Sequence, residues 1–466
     1  AKEYVGNGTL YDWVWWIFIV LSIPIALVVI GWWRDEVFVR LAKESDPPAW
    51  IQRLLLKNKD RKGYLGTALG GCYLIVRGVR RRILRFFSNF EIGRRALAYV
   101  FRREVERQTE AQKLAVEGDP LPEHLQSRLL TGGDIISKAH RKQKRAILQL
   151  AEGESGWFTA IVGERGLGKS TLLQRLNTDL GDRMLVVDCP TSGFQDLMSA
   201  LKSSVGLSAD PGLRTEGLRV ALSERQVEIL AIDNVHRVAS PKIGGLQHLE
   251  ELLGLIRDLG REFSWIFTLD SIAWQYIRSA RAGASGNTSV ITLEDWSEEE
   301  IGDLMTNSAE AAGIEPDFSR LVLPRQLDEM AYEAESDRQQ HGFSRILWFA
   351  ADGNPAVALR HWNDSLRVLD NGKVAVHLFP QRSMTDLEDL NLTNLFILRS
   401  LAQMEYATIQ DVLEATRLSE GDVRNAIRGL LVRGLVDKEE EMLHLSWDWY
   451  RMITRLLKRQ NLLALE

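Results

Sequence analysis

At 466 residues and 52.9 kDa the chain can hold two to four folded units, and a single small module is excluded. Its 45% apolar and 26% charged content is that of a globular protein and excludes the disordered and collagen-like classes. A formal charge of -5 hides an asymmetry, because residues 1–112 carry 19 basic and 11 acidic side chains, a balance of +8, and the remainder carries -13. The two parts are expected to face different surroundings. Cys72 and Cys189 stand far apart, so neither a disulfide framework nor a zinc spacing can be built from them, and a reducing compartment is expected. The chain starts at Ala1, which suggests processing or trimming.

The first element is a 21-residue stretch without charge, Trp13–Trp33. At about 1.5 Å rise per residue it matches the ~30 Å hydrocarbon core of a bilayer. Trp13, Trp15 and Trp16 at one end and Trp32 and Trp33 at the other stand where indoles prefer the headgroup interface. The pattern predicts a transmembrane anchor over 1–33. A removable signal peptide fits less well, since Lys2, Glu3 and Asp12 leave no basic leader. Residues 34–125 read as a basic juxtamembrane helical region with ten arginines between Arg77 and Arg107 against three glutamates. That bias predicts a single-pass inner-membrane protein with the chain beyond the anchor on the cytoplasmic side. Tyr64–Val76 is 13 residues long and is expected to be re-entrant or interfacial. Ile83, Leu84, Phe86, Phe87 and Phe90 interleave with arginines, which suits anionic lipid headgroups, each basic group contributing ~1 kcal/mol. A solvated helix face and an RNA-binding stripe are the alternatives.

An apolar run from Trp157 enters Gly163-Glu164-Arg165-Gly166-Leu167-Gly168-Lys169-Ser170-Thr171 and leaves through Leu172, Leu173 and Leu176 at helical spacing. Strand, glycine-rich loop and helix come in the order a P-loop requires. The glycines let backbone N–H groups curl around phosphates, Lys169 would neutralise the β/γ oxygens, and the Ser170 hydroxyl suits Mg²⁺. Residues 163–171 are therefore the candidate ATP-binding loop.

Val227–His236 supplies a second apolar strand ending in Asp233, the expected Walker B acid that shares Mg²⁺ with Ser170. Asn234 follows, where a hydrolysing ATPase usually has its general base, and an amide cannot take a proton at neutral pH. Slow hydrolysis is expected, with His236 a candidate to position water instead. Met184–Asp188, Trp265–Asp270 and Ser289–Leu293 read as further strands, and Thr268 or Asp270 is expected at a γ-phosphate sensor position. Such alternation predicts a parallel sheet with helices on both faces and nucleotide at the strands' carboxyl ends. Arg278 and Arg281 are candidates for an arginine finger reaching a neighbouring subunit, or for a solvated face.

From Ser297 the pattern turns helical, over Glu298–Ala312 and then Leu321–Glu335, and closes on Gly353-Asn354-Pro355. Further on, Leu395–Met404, Thr408–Thr416 and Val423–Arg433 read as three helices, with Val436 and Met442–Leu445 as wing strands and Trp447–Leu463 as a last amphipathic helix. The third helix carries charges that nearly cancel. Asp437, Glu439, Glu440 and Glu441 in the wing have the wrong sign for phosphates, so a protein contact is favoured over DNA.

The P-loop, the Asp233-Asn234 strand ending and the Gly353-Asn354-Pro355 turn resemble the AAA+/STAND group of signalling ATPases over roughly 130–450. The resemblance implies ATP and Mg²⁺ as cofactors, Pro355 beside the nucleotide, a homo-oligomer and a further protein partner. In origin-recognition relatives an arginine follows the lid turn and touches the γ-phosphate; here Ala356 holds that place and Arg360 lies one turn on. The expected architecture is an α/β P-loop NTPase with a parallel sheet (126–296), a helical lid and linker (297–385) and a winged-helix domain (386–466), preceded by the transmembrane helix and basic segment. The expected function is a membrane-anchored, nucleotide-controlled signalling or assembly switch. A tethered DNA-binding regulator and a mechanical remodeller are the alternatives.

Overall fold

The computed structural model describes residues 79, 82, 83, 86, 90–112, 118–131, 138–153, 155–190, 194–207, 215–280, 289–321, 334–379 and 384–463. The expected span 13–33, the apolar run 64–76 and Arg281 lie outside the described residues. Among those described, no helix is long and apolar enough to cross a membrane. The chain forms two compact units, residues 1–104 with 324–332 and residues 105–323 with 333–466. The first holds most of helix α1 (Glu91–Gln112), on which Ala98 and Phe101 are buried while Ile92, Tyr99 and Val100 are exposed. Phe86 and Phe90 are exposed too, and their rings meet edge-on at 5.4 Å.

The second unit opens with β1 (Asp119–Pro120), α2 (Glu123–Leu130) and α3 (Lys138–Ala151). Alternation follows: β2 (Phe158–Gly163), α4 (Lys169–Leu180), β3 (Met184–Asp188), α5 (Phe194–Ser204), α6 (Thr215–Glu224), β4 (Ile229–Asp233), α7 (Gln247–Leu259), β5 (Ser264–Asp270), α8 (Ser271–Ala280) and β6 (Ser289–Thr292). The five core strands are parallel in the order β3-β4-β5-β2-β6. Every residue of β4 and β5 is buried, as befits strands covered on both faces. Alternation then sorts side chains between two cores. Leu230, Ile232, Trp265 and Phe267 pack with Leu197, Leu222 and Leu252 of α5, α6 and α7. Ile161, Ile229, Ala231 and Ile266 pack with Ile147 of α3 and Leu172, Leu173 and Leu176 of α4. Each such aliphatic side chain contributes about 1.5–3 kcal/mol on full burial. Because β5 lies between β2 and β4, the register pairs Gly163 with Asp270 and brings the ends of the P-loop strand, the Walker B strand and β5 to one edge.

The lid begins at Ser297, whose hydroxyl accepts from the Glu300 amide while the Glu300 carboxylate accepts from the Ser297 amide, starting α9 (Glu298–Ala312). Then come β7 (Pro316–Asp317), α10 (Glu335–Ala351), α11 (Pro355–Ser365), β8 (Leu366–Val368) and β9 (Val374–Val376). Of the helix expected over Leu321–Glu335, residues 322–333 lie outside the described set. Phe318, Phe343, Trp362 and Phe379 form the lid's aromatic core. A small sheet in the order β1-β8-β9-β7 joins the lid to the segment before the core, and α2 packs against α9 and α11. The boundary drawn from sequence between 125 and 126 thus falls inside a helix that packs on the lid. Strands of two or three residues carry too little periodicity to be seen in sequence.

The C-terminal part holds α12 (Leu392–Met404), α13 (Ile409–Thr416), α14 (Glu420–Val432), an antiparallel hairpin of β10 (Val436–Glu439) and β11 (Met442–Leu445), and α15 (Trp447–Arg459). Asn391, Thr408 and Ser419 cap the three first helices. Its core includes Ile272 of α8, so this module packs directly against the helix that follows β5.

Candidate nucleotide site

The P-loop follows from its glycines. Gly166 and Gly168 sit at φ +86° and +89°, a region L-residues with side chains rarely adopt, and Gly168 caps α4. A Cβ on Gly166 would meet the Ala356 Cβ at 2.7 Å and the Asn354 Oδ1 at 2.8 Å, so the lid turn sits against the loop. Leu167 is buried and pins the loop to the core. Lys169 is buried and its Nζ donates to the carbonyls of Gly163 (2.8 Å) and Glu164 (2.9 Å). Burial lowers its pKa against the pull of Asp270, Glu405 and Asp233. Gly166, Gly168, Lys169, Ser170 and Thr171 line a cleft of about 450 Å³, with Pro355 and Ala356 on its lid side.

Asp233 ends β4. Thr268 donates from its hydroxyl to Asp233 Oδ1, and the Asn234 amide donates to the same oxygen (3.1 Å) and to Thr268 Oγ1 (2.8 Å). Thr268 therefore holds the Walker B acid from beneath and does not line the cleft, whereas Asp270, two residues on, does. Asn234 adopts φ +57°, ψ +39° and its Nδ2 donates to Asp188 Oδ1 at 2.9 Å. His236 is buried, and its Nδ1 accepts from the Asp270 amide (3.3 Å). That leaves Nε2 as the protonated nitrogen, which donates to Glu405 Oε2 at 2.9 Å. With both nitrogens engaged, His236 has no free position for water. Arg278 is exposed on α8. Arg360 stacks 5.3 Å over Trp447 and is not a lining residue.

The donor set is compatible with a magnesium nucleotide. Ser170 opens the first turn of α4 and Asp233 ends a strand at the same sheet edge, a hydroxyl and a carboxylate of the hard-oxygen type that Mg²⁺ prefers. Leu130, Leu304, Leu359 and the His140–Trp296 pair, whose rings meet edge-on at 5.7 Å, also line the cleft, and a Cβ on Gly168 would meet the His140 ring at 3.0 Å. Burial lowers the His140 pKa to about 4, so its ring is uncharged at neutral pH. His140 and Trp296 are not discernible in the sequence as site residues, because His140 lies in a run of basic residues that reads as surface.

The C-terminal module supplies the remaining wall. Glu405 Oε1 pairs with Arg165 Nε at 3.3 Å and its Oε2 faces Arg237 Nε at 3.5 Å in addition to His236. Burial pushes the Glu405 pKa up, but the hydrogen bond from His236 and the charges of Arg165 and Arg237 outweigh it and hold the carboxyl at about 2. Glu405 sits at φ +66° in a tight turn closed by the Tyr406 amide donating to the Met404 carbonyl (2.8 Å), a strained conformation for a residue with a side chain. Arg165 lies 4.5 Å over the Trp447 ring and 5.2 Å over Tyr406. Asn354, fully buried, caps α11 and donates from Nδ2 to the Arg165 carbonyl at 2.7 Å. Arg451 of α15 donates to the carbonyls of Ala351 (3.0 Å) and Asp352 (2.7 Å) and pairs with Glu164 and Asp295. Two of the four variable P-loop positions, Glu164 and Arg165, are thus held by side chains of the C-terminal module.

Residues 153–277 match the family model of an AAA domain. No curated protein matches the chain. Among solved structures, the Orc1 protein of Aeropyrum pernix in complex with DNA is 16% identical, with a TM-score of 0.35 over 72% of this chain and 96% of that one. A Walker-type ATPase of Pyrococcus abyssi is 14% identical, with a TM-score of 0.37 over 67% and 95%. The RuvB Holliday junction branch migration motor of Thermotoga maritima is 16% identical, with a TM-score of 0.33 over 69% and 95%. The matched AAA segment contains the P-loop, the Walker B strand and β5, the three elements whose ends build the cleft.

Proposed function

We propose that this chain is an ATP-binding switch of the AAA+/STAND type, in which Mg-ATP in the cleft controls how the core, the lid and a winged-helix module are held together. The observation that carries the reading is that one short loop serves all three parts. Gly166, Gly168 and Lys169 line the cleft, the Arg165 carbonyl is held by the lid's Asn354, and the Glu164 and Arg165 side chains are held by Arg451 and Glu405. A phosphate arriving at Lys169 must replace the two carbonyls that now accept from it, and the loop that rearranges carries the two ion pairs. Ser170 and Asp233 would hold Mg²⁺, which supplies charge neutralisation at the β/γ oxygens.

The winged-helix reading rests on the order α12, α13, α14 and hairpin. A protein contact is favoured over DNA because Arg424 pairs with Glu420 (2.7 Å), Arg433 pairs with Asp389 (2.9 Å), and the hairpin carries exposed acids. Membrane anchoring through residues 13–33, with the arginine-rich stretch on anionic headgroups, is part of the same proposal. Homo-oligomerisation and a protein partner complete it.

The test is calorimetric titration of Mg-ATP into the wild type and Lys169→Ala. Loss of the charged hydrogen-bond donor should weaken affinity about 10–100-fold, the equivalent of about 1.5–3 kcal/mol. Equal affinity in the two proteins would show that nucleotide does not bind at this loop.

A further inference from the structure

We propose that Asp270 accepts the proton of the water that attacks the γ-phosphate, a role that rests on ATP being the ligand of the cleft. The bond that forms joins the water oxygen to the γ-phosphorus, the bond to the β,γ-bridging oxygen breaks, ADP leaves with that oxygen, and the water's proton passes to Asp270 Oδ2.

The groups otherwise suited to this task are engaged. Asn234 has an amide that takes no proton, and its Nδ2 is bound to Asp188. His236 accepts from a backbone amide on one nitrogen and donates to Glu405 from the other. Glu405 is paired with Arg165 and Arg237 and accepts from His236. Asp233 Oδ1 accepts from Thr268 and from the Asn234 amide.

Asp270 differs from each of them. It is 5% exposed, ends the central strand β5 and lines the cleft. Its Oδ1 accepts from the Ile272 amide at 2.8 Å, which fixes the carboxylate's orientation at the start of α8. Its Oδ2 is buried and has no hydrogen-bond partner among the described residues. A buried acceptor without a partner is costly, and this one belongs to a side chain that lines the cleft. Asp270 is also the register partner of Gly163, whose carbonyl accepts from Lys169, so the carboxylate stands beside the lysine that would meet the β/γ oxygens.

Burial raises the Asp270 pKa, and the charge of Lys169 and the hydrogen bond from the Ile272 amide oppose the rise while Glu405 adds to it. Tyr450 of α15 is a further titratable group that feels its charge. A carboxylate shifted upward is a better proton acceptor than an exposed one.

The experiment uses the full chain and measures Mg-ATP affinity and single-turnover hydrolysis of radiolabelled ATP for wild type, Asp270→Asn and Asp270→Ala, the last with and without added formate. Asp270→Asn should bind Mg-ATP within about threefold of wild type and lose roughly 10²–10⁴-fold in the hydrolysis step. Asp270→Ala should regain turnover in formate, a small carboxylate that fits the space vacated, while Asp270→Asn should not. Rescue of that kind is foreign to a merely structural cap. Hydrolysis by Asp270→Asn within threefold of wild type, a loss in both variants that formate leaves untouched, or a loss explained entirely by weaker Mg-ATP binding would each overturn the assignment. Wild-type protein that binds ATP without hydrolysing it would also overturn it and leave the switch reading standing. Wild-type protein that binds no ATP would defeat the nucleotide reading itself.

Discussion

Asn234 shows how a residue's neighbours alter what its position suggests. From sequence its replacement by glutamate should supply a missing base and raise turnover. In the structure the side chain turns to Asp188 and the backbone sits in the left-handed region, where asparagine is far better tolerated than glutamate. A carboxylate there would face the Asp188 carboxylate. Asn234→Glu is therefore expected to lower stability by about 1–2 kcal/mol and to leave ATP turnover at or below the wild-type rate. Steady-state turnover at equal ATP occupancy, with urea unfolding alongside, checks both halves, and a severalfold gain in rate would refute the expectation. His140 gives a prediction in pH. Its folded pKa of about 4 lies below the ordinary 6.5, so between those values the unfolded chain binds more protons than the folded one. Stability is unaffected above about pH 6.5 and falls as the pH drops toward 4. The thermal midpoint should fall over that window, and His140→Gln should flatten the slope. Glu405 acts lower, between 4.5 and about 2, where docking of its module weakens as the carboxylate is protonated.

Among the elements, α15 has the most to reveal, since an amphipathic C-terminal helix reads in sequence as a cover for the module before it. It does bury Ile453, Leu456 and Leu457 in that module's core. Its other contribution is Arg451, almost fully buried, which gathers Glu164 of the P-loop, Asp295 before the lid and two carbonyls of the lid's turn. Lys458 supports the same Glu164 at 3.2 Å. Removing one partner of a buried ion pair leaves the other charge desolvated, so Arg451→Ala should cost about 3–5 kcal/mol. Urea unfolding of Arg451→Ala and of the double variant Arg451→Ala with Glu164→Gln tests this, and the second substitution should recover part of the loss. Strictly additive losses would show that the two side chains are not coupled.

For the whole molecule the prediction concerns residues 1–33, which lie outside the described set. An uncharged span of 21 residues bounded by tryptophans anchors far more firmly than a basic surface patch alone. The intact protein should stay in the membrane fraction through high-salt and carbonate washing, and deletion of residues 1–33 should release much of it. Recovery of the intact protein in the soluble fraction would refute the anchor. The exposed Phe86, Phe90, Ile92 and Tyr99 near arginines predict residual binding of the deleted form to anionic vesicles that added salt removes.

Contiguous signals were enough for much of this protein. The P-loop needs its glycines, lysine and serine within eight residues, and its flanking strand and helix are set by local periodicity, so Gly163–Ser170 could be read directly. The same holds for α9, whose capping box starts it at Ser297, and for the helix and hairpin order after Asn391. The pairings that complete the cleft were hidden. Glu405 reaches His236 across 169 residues of chain, and Asn354 reaches the Arg165 carbonyl across 189. Nothing in the neighbourhood of Glu405 marks it, because its role comes from a strained turn that packing against other modules holds in place. Thr268 and Asp270 looked interchangeable as strand residues two apart on the same face of β5. Only the sheet order, with β5 between β2 and β4, gives Thr268 to Asp233 and leaves Asp270 beside Gly163 as a lining residue of the cleft. Backbone periodicity is local and legible, whereas the choice of partner for each polar side chain is a property of how distant strands and helices come to share one edge.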